Sequence, residues 1–245
     1  MSLSVVIITL NAAPHIKKCL ESVKWADEIV VLDSGSTDGT LEICREYTSG
    51  VHQTDWPGFG RQKNRAIDCA TKDWILVLDA DEWLSEALQV EIRAVIKTET
   101  DKAAYRIRRQ STFMGQCIQH GDWGKDWIVR LFQRGQARFT EALVHENLTT
   151  HGKVGDLRAS MQHDTVTTLE SALRKMNEYS TLGAQQMLAQ GRQGGFVTAW
   201  THGAWSFFRC YVINRGFLDG KAGYLVALLT AQASFYKYMK NVYLQ

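Results

Sequence analysis

A short apolar run that ends in three carboxylates constrains the fold of this chain more than any other feature. Residues 74–78 are Trp, Ile, Leu, Val and Leu, and Asp79, Asp81 and Glu82 follow at once. A continuous apolar run of this length is typical of a strand buried on both faces. Because side chains two apart on a strand share a face, Asp79 and Asp81 are expected to converge at its end. The pattern favours either a divalent cation that removes their repulsion or a solvated turn in which residues 81–85 cap the next helix.

Strands and helices alternate over the first hundred residues. This alternation predicts an α/β fold with a mostly parallel central sheet. Ligands of such sheets bind at the carboxyl ends of the strands, where Asn11, Asp33 and Asp79 fall. The predicted strands cover 3–10, 29–33, 51–54 and 75–78, and the predicted helices begin near Pro14, Leu41, Arg61 and Ser85.

Composition narrows the choice of ligand and compartment. The chain is 45% hydrophobic and 22% charged, as in ordinary globular proteins, and its net charge of +2 is too small to indicate a nucleic-acid partner. It has neither a GxGxxG sequence after the first strand nor a GxxxxGKS/T sequence, so a nucleotide diphosphate would be held by a metal and by basic side chains. Five scattered cysteines without a CxxC pair, and no signal-peptide pattern, favour reduced thiols in a cytoplasmic setting.

Three motifs occur in order at the predicted strand ends: Ser4-Val-Val-Ile-Ile-Thr-Leu-Asn11, Val31-Leu-Asp33-Ser-Gly-Ser-Thr-Asp38-Gly-Thr40, and Leu78-Asp79-Ala-Asp81-Glu82. Together they resemble the family 2 glycosyltransferases, which have the glycosyltransferase-A fold, over roughly residues 1–150. The resemblance implies a nucleotide-diphospho-sugar transferase fold with a mostly parallel central sheet. Ile8 replaces the family's usual proline and Ala66 its usual glycine, and both departures are mild.

The resemblance also implies roles for six residues at the donor site. It implies that Thr9 and Asn11 border the nucleoside pocket and that Asp33 contacts the base. Lys63 would lie beside the nucleotide, and Asp79 would contact the ribose or the metal. Asp81 would be the ligand of Mg²⁺ or Mn²⁺. The residues alone leave alternatives open. Asp33 or Asp38 could cap the second helix, and Lys63 could be an exposed helix residue.

The middle segment is expected to form the acceptor side of the cleft. It alternates like two strands, at 103–109 and 127–133, with a hairpin or loop between them at 114–121. Inverting transfer to a hydroxyl needs a carboxylate or histidine within hydrogen-bond reach of that hydroxyl. The candidate bases are Asp126, Glu141, His145 and Glu146.

A second resemblance indicates which of these residues is the base. The Arg130-Leu-Phe and Val144-His145-Glu146 segments resemble the subfamily that adds glucose to the inner core of bacterial lipopolysaccharide, which implies Glu146 as the base, with Asp126 second. Arg130 fits an ion pair as well as a phosphate contact. His163 precedes a predicted helix, and related enzymes often close the metal–diphosphate site with a late histidine; the alternative is a purely structural histidine.

The C-terminal third is predicted to be helical and is rich in aromatic residues. Residues 196–245 contain twelve aromatic residues, five basic ones and a single acid, Asp219. Their longest charge-free run, 222–236, has 15 residues and falls short of the about 20 that a spanning helix needs. We expect a pair of interfacial helices at a membrane surface; the alternatives are a buried cap and a dimer interface. The side chains expected at the lipid boundary are Trp200, Trp205, Phe207, Phe208, Phe235 and Tyr236, with cations at Arg209, Arg215, Lys221, Lys237 and Lys240.

The sequence therefore predicts a catalytic domain over 1–160 and a helical extension over 161–245. Within the first, 1–100 is the nucleotide-binding half and 101–160 the acceptor half. The predicted activity is inverting, metal-dependent transfer of a hexose, glucose from UDP-glucose, onto a hydroxyl of a lipopolysaccharide-core or other glycolipid acceptor at the inner face of the cytoplasmic membrane. The rival interpretations are a phosphohydrolase with Asp79 as nucleophile and a non-catalytic peripheral membrane adaptor on the same fold.

Overall fold

Two units make up the part of the chain that the computed structural model describes, residues 1–140 and 147–244. The first unit contains residues 1–109 and 127–163, and the second contains 110–126 and the residues from 164 onward. The strands at 102–113 and 153–166 begin in the first unit and end in the second. Residues 110–126, which the sequence-based division placed in the acceptor half, therefore group with the helical extension.

Strands and helices alternate up to residue 95, as predicted, and a further set of strands follows. The strands are β1 Leu3–Thr9, β2 Glu28–Asp33, β3 Val51–Gln53, β4 Trp74–Asp79, β5 Glu82–Leu84, β6 Lys102–Phe113, β7 Gln116–Cys117, β8 Trp127–Gln133, β9 Ala137–Phe139, β10 Leu148–Thr150 and β11 Lys153–Val166. The α-helices are α1 Ala13–Val23, α2 Thr40–Arg45, α3 Phe59–Cys69, α4 Glu86–Val95, α5 Leu169–Ala189, α6 Phe196–Phe208 and α7 Gly220–Tyr243.

The parallel strands β1, β2 and β4 form the centre of the first unit. Every residue of β1 is buried, because its side chains are apolar on both faces and pack against core clusters on either side of the sheet. In the parallel registers Thr9 lies beside Asp33, and Ile8 lies beside Asp79. The carboxyl ends of three adjacent strands therefore meet at one edge of the sheet. The predicted parallel α/β core is confirmed.

The whole sheet has the strand order β3-β2-β1-β4-β8-β6-β11-β5, in which antiparallel strands extend the parallel centre. β8 pairs with β4, and β11 pairs with β5, where His163 lies opposite Glu82. Both β5 and the 14-residue β11 were missed from sequence, because β11 alternates weakly and is half exposed. His163 consequently lies inside a strand, and the predicted helix begins six residues further on, at Leu169.

The second unit is mainly helical. Its α5 begins with a capping box, in which the Thr168 hydroxyl accepts from the Ser171 amide at 3.1 Å, and it matches the predicted helix at 169–190. α6 continues through a π-helical turn at 209–213 and a 3₁₀ turn at 216–219 before α7 begins, so the predicted helical pair is confirmed. Of the helices within the described residues, none is both long and apolar enough to cross a membrane.

Candidate active site at the strand carboxyl ends

The loop after β2 is organised by Asp33. Its carboxylate is fully buried and accepts from the backbone amides of Gly35 and Ser36, both at 2.9 Å, and from the Ser36 hydroxyl. The interpretation of Asp33 as the cap of the second helix is wrong, because α2 begins after Gly39, six residues further on. Asp33 therefore fixes the shape of the loop beside the strand ends.

Asn11 joins the end of β1 to the same loop. Its backbone has a φ of 50°, in the left-handed region, and its side-chain oxygen accepts from the Thr37 amide at 2.9 Å. The Asn11 amide donates to the Ser36 hydroxyl at 2.8 Å. Thr9, two residues earlier, is buried, and its hydroxyl oxygen has no hydrogen-bond partner among the described residues. A buried hydroxyl without a partner is costly, so Thr9 offers a polar contact that a bound ligand could satisfy.

Asp79, at the end of β4, is neutralised by two cations. Lys63 Nζ lies 3.0 Å from Asp79 Oδ1, and Arg130 Nη2 lies 2.7 Å from Oδ2. Burial alone would raise the pKa of Asp79, but the charges of Lys63 and Arg130 hold it far below its usual range. Lys63 is buried on α3, so its interpretation as an exposed helix residue is wrong. Arg130 forms ion pairs, which was one of its two predicted interpretations.

Glu82 is the centre of a buried charge network. Its side chain is fully buried and lies 3.0 Å from both Arg130 Nη2 and Arg109 Nη1, and it accepts from the Asp79 amide at 2.9 Å. Glu82 does not begin the next helix, because Ser85 caps α4 by accepting from the Leu88 amide at 3.2 Å. Sequence reasoning missed this role. The available signal was Arg130 itself, an arginine inside the apolar stretch of β8.

Asp81 and His163 form a pair beside this network. His163 Nε2 lies 3.3 Å from Asp81 Oδ2, and the Asp81 side chain is 28% exposed. Carboxylate oxygen and imidazole nitrogen are both ligands for Mn²⁺, and oxygen suits Mg²⁺. Among the described residues no cluster of three or more His, Cys, Asp or Glu side chains is arranged to hold a metal. The pair therefore fits a cation that takes its remaining ligands from a bound diphosphate, as Mg²⁺ commonly does.

The predicted catalytic base falls in a part of the chain that cannot be described. Glu146, together with the other candidates Glu141 and His145, lies outside the described residues. Asp126, the second candidate, ends a 3₁₀ turn at 123–125 and belongs to the second unit. The assignment of Glu146 as the base stays a prediction.

The strand ends thus gather a buried aspartate loop, an unpartnered threonine hydroxyl, an aspartate neutralised by two cations and an Asp–His pair. An α/β sheet binds its ligands at the carboxyl ends of its strands, so this edge is the candidate active site of an α/β enzyme.

Comparison with known proteins identifies the family. Residues 4–152 match the family model described as glycosyl transferase family 2, and the chain belongs to this family. It is 30% identical over 245 residues to the lipopolysaccharide core biosynthesis glycosyltransferase LpsC of Rhizobium meliloti strain 1021, covering 94% of this chain and 91% of LpsC.

Solved structures support the fold. The chain is similar to the mannosyltransferase PcManGT from Pyrobaculum calidifontis, solved with GDP-Man and Mn²⁺, with a TM-score of 0.55, 15% identity, and coverage of 100% of this chain and 88% of that one. It is also similar to S. aureus TarS 1-349, solved with UDP-GlcNAc, with a TM-score of 0.50 and 15% identity. The match covers 99% of this chain and 89% of that one. The predicted glycosyltransferase-A fold and the predicted glycosyltransferase activity with a nucleotide-sugar donor are confirmed.

Proposed function

We propose that this enzyme transfers glucose from UDP-glucose, with inversion, onto a hydroxyl of a lipopolysaccharide-core glycolipid, and that it uses Mg²⁺ or Mn²⁺. The observation that carries the metal dependence is the Asp81–His163 pair, which offers oxygen and nitrogen ligands 3.3 Å apart beside the neutralised Asp79. The likeness to LpsC, which is named for lipopolysaccharide core biosynthesis, supports the acceptor class. The choice of glucose comes from the subfamily resemblance.

The donor is proposed to lie along the strand ends. The Asp33 loop contacts the base, while Thr9 and Asn11 border the nucleoside. Asp79, fixed by its cations, contacts the ribose. These contacts orient the donor without requiring movement, because the loop hydrogen bonds of Asp33 and Asn11 are already formed.

Asp81 and His163 are proposed to hold the cation. When bound, the cation supplies positive charge that stabilises the departing nucleoside diphosphate. Lys63 and Arg130 do not offer that charge freely, because each is already paired with a carboxylate.

Glu146 is proposed to be the general base, with Asp126 as the alternative. The acceptor oxygen forms a bond to the anomeric carbon as the bond from that carbon to the UDP oxygen breaks, and the hydroxyl proton passes to the carboxylate. A single displacement of this kind inverts the anomeric centre. Positioned proton transfer typically contributes about 10²–10⁴-fold to the rate.

A donor screen tests this proposal. We expect UDP-glucose with Mn²⁺ or Mg²⁺ to raise the melting temperature of the purified protein more than UDP-GlcNAc or GDP-mannose does, and chelation to abolish the difference. Transfer of labelled glucose to a deacylated lipopolysaccharide-core acceptor should then be detectable. Stabilisation by another nucleotide sugar, or equal stabilisation without metal, would contradict the proposed donor or the metal requirement.

A further inference from the structure

The second unit exposes a continuous row of apolar side chains along α6. Phe196, Trp200, Ala204 and Phe208 are spaced four residues apart, and all four are exposed. Helical residues at this spacing share one face, so the row forms a single stripe, which we call the apolar ridge. Scattered exposed apolar residues are common on soluble proteins, but a contiguous row of this length marks an interaction surface.

A short turn beyond α6 adds a second apolar feature. In the 3₁₀ turn at 216–219, Phe217 is 47% exposed and Leu218 is 55% exposed. Two exposed cations flank this pair in the chain, Arg215 before it and Lys221 after it. We call residues 215–221 the cationic tip. An apolar pair between cations is the pattern of a segment that inserts into lipid while its charges remain at the headgroups.

Ring contacts connect the end of α6 to the tip. Phe207 on α6 packs on Tyr211 at 5.3 Å between ring centroids, and Tyr211 contacts Phe217 at 6.2 Å. Tyr211 also contacts Tyr224 on α7 at 5.8 Å. The end of α6, the tip and the start of α7 therefore form one packed surface.

The exposed charge of this surface is entirely positive. Asp219 is the single acid between residues 196 and 244; it is buried, and its carboxylate binds His120 Nδ1 at 2.9 Å and the backbone amides of residues 119 and 120. The exposed side chains from 196 to 244 consequently include no carboxylate. A cationic surface of this kind complements an anionic partner.

The structure also reduces the set of cations expected at a membrane. Lys240 Nζ is bound to Asn177, Ser180 and Thr181, each at 2.7–2.8 Å, so it serves internal packing. Arg209 forms an ion pair with Asp122 at 2.7 Å. Lys237 is only partly exposed, and its ammonium lies 4.9 Å from the centre of the Tyr238 ring. Arg215 and Lys221 remain as the exposed pair beside the apolar residues.

We propose that the apolar ridge and the cationic tip bind an anionic bilayer, with Phe217 and Leu218 inserted among the headgroups and Arg215 and Lys221 paired with lipid phosphates. This inference deepens the proposed function, because it states how the enzyme reaches a glycolipid acceptor. A second copy of the chain fits less well. A two-fold contact would bury the cations of both tips, and the exposed side chains of residues 196–244 offer no carboxylate to pair with them.

Vesicle flotation of the full-length protein tests the proposal. Vesicles of phosphatidylcholine with one third phosphatidylglycerol should bind the protein, and pure phosphatidylcholine vesicles should bind it much more weakly. Phe217→Ser with Leu218→Ser should reduce partitioning by at least about tenfold, because two apolar side chains lose their burial in lipid. Arg215→Gln with Lys221→Gln should reduce binding to anionic vesicles by about 30-fold, from roughly fivefold per cation.

A matched control lies in the first unit. Val90, on α4, is 67% exposed, so Val90→Ser removes an exposed apolar side chain that belongs to neither the ridge nor the tip and should leave vesicle binding unchanged. The proposal is wrong if both double variants bind vesicles as the Val90→Ser protein does, or if the unaltered chain forms dimers by light scattering and does not bind vesicles.

Metal-dependent hydrolysis of UDP-glucose, measured without lipid, distinguishes a failure of this proposal from a failure of the proposed function. Loss of vesicle binding with hydrolysis intact overturns only this one, and vesicle binding without hydrolysis contradicts only the proposed donor chemistry.

Discussion

Replacing Arg130 with methionine tests whether the buried charge network stabilises the first unit. In the native protein the Arg130 side chain is 5% exposed and lies 2.7 Å from Asp79 and 3.0 Å from Glu82. The substitution keeps an unbranched side chain of similar length but removes the charge. Asp79 then keeps its ion pair with Lys63, and Glu82 keeps its ion pair with Arg109.

The expected loss of folding stability in Arg130→Met follows from the burial of Glu82. Removing one partner of a buried ion pair typically destabilises a protein by about 3–5 kcal/mol, because the remaining charge is left uncompensated. Each carboxylate here retains one cation, so we expect the lower end, about 3 kcal/mol. With a denaturant slope of about 3 kcal/mol per molar urea, the unfolding midpoint should fall by about 1 M.

The assay is urea unfolding at pH 7, followed by circular dichroism. Arg106→Met is the matched control, because Arg106 pairs with Asp156 at 2.7 Å on the surface, where both side chains are about half exposed. An exposed pair contributes at most about 1 kcal/mol, so this control should shift the midpoint little. Equal shifts for the two variants would refute the structural role of the network. Adding Glu82→Gln to Arg130→Met should restore part of the lost stability, since it removes the buried carboxylate that has lost one of its two cations.

The remaining predictions concern the site and one carboxylate outside it. Thr9→Val should change the free energy of unfolding by less than about 1 kcal/mol, since the hydroxyl has no partner among the described residues, and it should weaken UDP-glucose binding in calorimetry. Asp81→Asn should abolish the metal dependence of donor affinity; unchanged dependence would remove Asp81 from the metal site. Glu146→Gln should slow transfer by about 10²–10⁴-fold with donor affinity intact, and near-native rates would shift the base assignment to Asp126.

The last of these predictions is a pH dependence at Glu28. Burial would raise the pKa of Glu28, but hydrogen bonds from Ser4 and Thr71 lower it below its ordinary value. Glu28→Gln should therefore cost about 1–2 kcal/mol at pH 7. The difference should begin to close as the pH falls through about 4.3, the ordinary pKa of glutamate, and should close fully once the pH has passed the lowered pKa of the native carboxylate.

The sequence predicted the parts of the fold that rest on local patterns. Apolar runs located β1, β2 and β4, and the rule that ligands bind at strand carboxyl ends placed Asp33 and Asp79 at the same edge of the sheet, where the structure has them. The prediction worked because continuous burial on both faces leaves an unambiguous apolar pattern.

The parts that were missed depend on partners distant in the chain. Glu82 binds Arg109 and Arg130, which lie 27 and 48 residues away, and no local pattern links an acid to an arginine on an antiparallel strand. β11 was missed for a related reason. Its 14 residues carry charged and polar side chains at most positions, so its strand structure is imposed by pairing with its neighbours rather than by its own periodicity.

Three carboxylates within four residues end in three different environments, and the differences decide which of them can bind a cation. Glu82 is fully buried between two arginines and presents no surface. Asp79 is partly exposed, but a dication approaching it would meet Lys63 at 3.0 Å and Arg130 at 2.7 Å from the same carboxylate, and like charges at such distances repel. Asp81 lies 3.3 Å from His163, whose imidazole is a metal ligand when neutral. The arginines around Glu82 therefore compensate two of the carboxylates, and the third, Asp81, stays the predicted metal ligand.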